Sequence, residues 1–66
     1  MQFVIYALEP SGAKNYIAHW NGEVTAITGT RDIKTATRFN ITEVAQIKSK
    51  IEKATGFHID IKFEVV

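Results

Sequence analysis

One segment of this chain has helical periodicity, and it is too short to cover two surfaces. In residues 40–56, NITEVAQIKSKIEKATG, the apolar side chains Val44, Ile47, Ile51 and Ala54 recur at helical spacing and form one apolar stripe. Asn40 and Glu43 have the spacing of a capping box, with Thr42 as a competing cap, and Gly56 stands where a helix C′ residue belongs. Lys48, Lys50, Glu52 and Lys53 fill the other positions, and late lysines suit the negative end of a helix. About fifteen residues at 1.5 Å each give a rod of about 22 Å. Such a rod roofs one face of a small sheet and leaves the other bare.

The remaining segments have strand character. Residues 2–9, QFVIYALE, are apolar on both parities, with Phe3, Ile5 and Ala7 on one and Val4, Tyr6 and Leu8 on the other. A strand of that kind belongs in the middle of a sheet. Residues 57–66, FHIDIKFEVV, alternate throughout, placing Phe57, Ile59, Ile61, Phe63 and Val65 on one side and His58, Asp60, Lys62 and Glu64 on the other. That alternation predicts a half-buried strand under the helix. The loop PSGAK over 10–14 separates the first strand from NYIAHWNGEVTAITGT over 15–30.

At Asn21-Gly22 the pattern favours a two-residue type I′ hairpin turn. This register would set Trp20 against Glu23, Ala18 against Thr25 and Tyr16 against Ile27 on one face, with His19 against Val24 and Ile17 against Ala26 on the other. Residues 29–40 then read as a connector. Thr30 caps a single turn that points Ile33 and Ala36 the same way, and Phe39 plugs the edge of the core. The expected fold is α+β, a mostly antiparallel four-stranded sheet in the order β-β-β-α-β with one amphipathic helix on one face. Its strand order is 3-2-1-4, with the last strand beside the first and parallel to it.

At 66 residues the chain makes a single domain, and below about 70–80 residues one core rarely supplies more than about 3–5 kcal/mol. It has no cysteine, so disulfides and thiolate metal sites are excluded. No stretch approaches the ~20 apolar residues of a membrane span, and the apolar start lacks the basic region and cleavage pattern of a signal peptide. A cytoplasmic location follows as the default, with no membrane partner.

The shortfall in cover points to a contact surface. With one face roofed, some of Val4, Tyr6, Leu8, Tyr16, Trp20 and Ile27 are left on the open face. Exposed apolar clusters mark interaction sites, and aromatic anchors dominate binding hot spots. Tyr6, Tyr16, Trp20 and Ile27 are therefore the candidate partner-binding residues, for a second copy of the chain or for another protein. Cross-strand shielding of the hairpin by Tyr and Trp is the competing explanation.

Other chemistry has less behind it. Ser11 lies in a turn, where its hydroxyl serves the local backbone, and Ser49 lies within the helix. His58 and Asp60 share a strand face, but only His19 could add a third metal ligand. The acids Glu9, Glu23, Asp32, Glu43, Glu52, Asp60 and Glu64 are scattered, and Gly12, Gly22, Gly29 and Gly56 fall one per turn or cap. No enzyme, cofactor, metal or small-molecule ligand is therefore expected. Weak single-stranded nucleic-acid binding is the alternative, with bases stacked on Tyr6, Tyr16 and Trp20 and phosphates met by Lys14, Arg31, Lys34, Arg38 and Lys62. The isoelectric point of 8.1 lies under the value of about 9 that usually marks such domains.

The stretch NYIAHWNGEVTAITGTRDIKTATRFNITEVAQI carries Tyr16, Ile17, Asn21, Gly22, Asp32, Ile33, Ala36, Phe39, Thr42, Glu43 and Ala45 in a recurring cadence. It resembles small uncharacterised proteins encoded by phages and prophages of Gram-positive bacteria. In the helix the match is loose, because Val44 separates Glu43 from Ala45. The resemblance implies a small phage accessory protein that binds a host protein in the host cytoplasm, and it carries over no catalytic residue.

Overall fold

A computed structural model describes residues 1–56 and 58–66. It is α+β, with strands β1 (Phe3–Leu8), β2 (Lys14–His19), β3 (Thr28–Thr30) and β4 (Ile61–Val65) and one helix, α1 (Ile41–Ala54). They form one sheet in the order β3-β2-β1-β4. β1 is central, and its Val4 and Ile5 are both 0% exposed, one on each face. Helix α1 begins with the full capping box. The Asn40 side chain accepts from the Glu43 N–H, and the Glu43 carboxylate accepts from the Asn40 N–H. It ends at Thr55, followed by Gly56 at φ +66°, the left-handed geometry that favours glycine. Val44, Ile47 and Ile51 pack on Phe3, Ile5, Ile17, Phe39 and Ile61. Ala54, expected on the same stripe, is exposed.

Four expectations are corrected. First, β4 runs antiparallel to β1, with Phe3 opposite Val65 and Ala7 opposite Ile61. The helix accounts for this. It starts after Phe39, which is bridged to Phe3 at one end of β1, and its 14 residues travel about 21 Å, the length of the sheet. The chain re-enters at the far end, at Ile61, and can only run back. β4 is also shorter than the alternating run, since His58–Asp60 precede it. Phe57 lies outside the described residues.

Second, Asn21 and Gly22 do not close a two-residue hairpin. The Asn21 side chain accepts from the Glu23 N–H at 3.0 Å, Gly22 sits at φ +96°, and Val24–Ala26 wind into a 3-10 turn before β3. Tyr16 therefore faces Thr30 and not Ile27, and Ile17 faces Gly29. Apolar packing selects this path, because the wider connection lays Trp20, Val24 and Ile27 against the helix-side core.

Third, the second face of the sheet is partly roofed, by the connector. Ala36 is 8% exposed and packs with Val4 and Tyr16 on the helix-free face, while Phe39, 4% exposed, packs on the helix face. Between them the chain enters the gap where β1 and β2 diverge. The Thr37 N–H donates to the Ile17 carbonyl at 3.0 Å, and Phe39 exchanges two backbone hydrogen bonds with Phe3 at 2.8 and 2.9 Å. Fourth, Asp32 and not Thr30 caps the short turn over Ile33–Thr35. Thr30 supports it by accepting from the Asp32 N–H at 3.1 Å. Ile33 does not share the burial of Ala36 and stays 37% exposed.

Phe39→Ala should cost about 3–5 kcal/mol, which is comparable with the whole stability of a chain this size, so the variant should be largely unfolded at 25 °C by circular dichroism. Ile33→Ala should stay within about 0.5 kcal/mol of the parent. A stable Phe39→Ala chain would contradict a structural role for the connector.

Candidate functional site

The helix-free face carries a connected group drawn from three strands. Antiparallel pairing sets Tyr6 opposite Tyr16, with ring centroids 5.7 Å apart and planes tilted by 59°. Lys14 Nζ lies 4.8 Å from the centre of the Tyr6 ring and 3.0 Å from Glu64 Oε2. The Tyr16 hydroxyl donates to Glu64 Oε1 at 3.2 Å. Tyr16 is 7% exposed, Tyr6 is half-buried, and Leu8 next along β1 is 50% exposed. At the same end of β1, Glu9 accepts two hydrogen bonds from Arg31, at 2.9 and 2.5 Å.

The electrostatics follow the contacts. The hydrogen bond that Lys14 donates to Glu64 holds its ammonium above the usual range. Burial, then the Glu64 charge, pushes the Tyr16 phenol up. A hydrogen bond from Arg31 holds Glu9 below the ordinary carboxylate range, and one from Lys62 does the same for Asp60. Tyr16 is thus a protonated donor to a carboxylate that Lys14 already neutralises. The arrangement fixes side-chain positions.

The four residues expected to form one surface divide between two. Tyr6 and Tyr16 share the helix-free face, whereas Trp20 and Ile27 pack against the helix-side core. Trp20 and Gly22 border a cleft of about 340 Å³ whose other wall is Glu43, Gln46, Ile47 and Lys50. Lys50 closes one end, with Nζ 5.9 Å from the Trp20 ring centre and a hydrogen bond to the Gly22 carbonyl. The aromatic set considered for base stacking is divided in the same way, and Lys14, Arg31 and Lys62 each lie in an ion pair. His19, His58 and Asp60 do not come together as a metal-holding group among the described residues. Ser11 Oγ accepts from the Ala13 N–H at 3.4 Å, a local turn contact.

Sequence reasoning placed Lys14 only as a phosphate contact and Glu64 only as a polar-face acid, and missed that the two pair. They are 50 positions apart and lie on the two strands that flank β1, so no local pattern joins them. The alternating run itself held the signal, since it puts Glu64 on the polar side of β4. No helix among the described residues is long and apolar enough to cross a membrane. Comparison with protein-family models, with curated proteins and with solved structures finds no match to this chain.

The network gives a pH dependence. Lys14 and Tyr16 have raised values in the folded state, from ordinary values of 10.5 and 10.0. Each contribution is complete below its unfolded value and is lost as pH rises through the folded one, so stability should fall above about pH 10. Tyr16→Phe keeps the ring and removes one of the two groups. Its melting temperature should decline less steeply toward about pH 11 than that of the parent, and an unchanged slope would contradict the assignment.

Proposed function

We propose that this chain is a small non-catalytic protein-interaction module that docks a protein partner on the helix-free face of its sheet. The observation that carries this reading is the Tyr6–Leu8 ridge. Helix α1 lies on the other face, the connector's Ala36 reaches only the Val4–Tyr16 cluster against which Tyr6 packs, and Leu8, the last residue of β1, is half exposed. Tyr16 supports Tyr6 from the adjacent strand, while Lys14 and Glu64 hold a fixed pair of charges beside it. A contact face already held in one conformation loses less entropy on binding. Trp20 and Ile27 contribute by holding the loop before β3 against the core, and the Trp20 cleft is a second indentation for a partner side chain.

A protein is favoured over a nucleic-acid strand because the aromatics do not share a face and three of the five basic side chains considered are paired within the chain. On the phage-like cadence of its central segment, the module is an accessory protein acting on a host protein in the host cytoplasm. It works by occupying that protein's surface or by joining a complex.

A photo-crosslinking residue placed at Leu8 should give one discrete protein adduct in the producing cells, and the same residue at Lys53, on the exposed side of α1, should give none. Tyr6→Ala in the Leu8 crosslinker chain should remove the adduct while the chain stays folded. No adduct from Leu8, or equal adducts from both positions, would overturn this reading.

A further inference from the structure

Apart from Lys48 at the Ile61 carbonyl, the outer edge of β4 has no partner among the described residues and its chemistry is self-complementary, and from this we infer that two copies of the chain pair through β4 into one continuous eight-stranded antiparallel sheet. The direction of the backbone groups comes first. The Val66 N–H donates to the Gln2 carbonyl at 3.0 Å, so the residues in step with it, Glu64 and Lys62, turn their backbone groups toward β1. Those of Ile61, Phe63 and Val65 point outward. Lys48 Nζ donates to the outward Ile61 carbonyl at 2.8 Å. The outward groups of Phe63 and Val65 have no hydrogen-bond partner among the described residues.

The strand reads Ile-Lys-Phe-Glu-Val. Placed antiparallel to a second copy with Phe63 opposite Phe63, it sets Ile61 against Val65 and Lys62 against Glu64, twice by symmetry. The outward-facing residues 61, 63 and 65 become the hydrogen-bonded positions. The Lys–Glu pairs fall at the non-hydrogen-bonded positions, where side chains lie closest. Both charges project from the helix-free face, and the apolar residues project from the helix face. There Phe63 and Val65 are 43% and 56% exposed, and Phe63 makes an edge contact with Phe3 at 5.8 Å. A one-residue slip would lose both the hydrogen bonds and the charge match.

Within one chain Lys62 meets Asp60 at 3.1 Å and Glu64 meets Lys14 at 3.0 Å, so the paired state extends these into a row of alternating charge. An edge with unpaired backbone groups at Phe63 and Val65 and exposed apolar side chains is also what a monomer would be expected to avoid. The two-fold axis stands perpendicular to the sheet, which brings the helix-free faces of both copies to the same side. The inference goes beyond the docking face and does not depend on it.

Light scattering and sedimentation from micromolar to millimolar chain should show the mass rising from 7.4 kDa toward twice that value. Lys62→Glu and Glu64→Lys should each raise the dimer dissociation constant about tenfold or more, since two attractive cross-strand pairs become repulsive. An equimolar mixture of the two variants should recover dimerisation, because each supplies the charge that the other lacks. If either variant fails to fold, the parent decides the question, since its Phe63 and Val65 amides should exchange more slowly as concentration rises. A parent that stays at single-chain mass at millimolar concentration, a mixture of folded variants that does not recover, or a dimer with those amides unprotected would overturn the inference. Dimerisation without an adduct from Leu8 would leave it standing and remove only the docking face.

Discussion

The fold depends on one short passage of backbone, Ala36–Phe39, which goes through the sheet where β1 and β2 diverge. Two hydrogen bonds to Phe3 and one to Ile17 hold it there, and it delivers Ala36 to one face and Phe39 to the other. Helix α1 is the length of the sheet and covers one side only. Val4 is fully buried on the other side because this passage lies against it with Tyr16. The same passage delivers the chain to Asn40 at the Phe3 end of β1, which sets where α1 begins and hence the end at which β4 enters.

What this passage does not reach remains open to contact. The connector covers the Val4 end of β1 and leaves the Tyr6–Leu8 end, and among the described residues no strand lies beyond β4. These two surfaces differ in kind. The Tyr6–Leu8 ridge is a patch of side chains made rigid by the Lys14–Glu64–Tyr16 network. The β4 edge is backbone, with side chains that match their own reverse. In a chain this small, association is one of the few ways to add buried area.

Much of the architecture was legible in the residues, and the exceptions have identifiable causes. The capping box, the glycine after the helix and the central, doubly apolar β1 are local patterns that stand in the structure as read, and so does the helix stripe apart from the exposed Ala54. The strand order followed from them. The direction of β4 did not, because it depends on where the helix ends relative to the sheet, and that is set by the Phe3–Phe39 bridge between residues far apart in sequence. Asn21-Gly22 was overruled by the packing of Trp20, Val24 and Ile27 on the helix side. The count of sheet-covering segments took in the helix alone: Phe39 reads as a plug for the edge of the core and is buried, but Ala36 reads as the partner of Ile33 on a capped turn, and nothing local shows that it covers Val4 on the second face. For the candidate surface, Tyr6 and Tyr16 lie together, whereas Trp20 and Ile27 needed the true loop geometry to be placed.

Native-state hydrogen exchange at the Phe3, Thr37 and Phe39 amides tests the central claim most directly. If the connector is part of the sheet, these amides exchange only with global unfolding, as slowly as those in the middle of β1. Exchange of Thr37 and Phe39 at the rate of a surface loop, with β1 still protected, would show that the connector does not hold the two faces together.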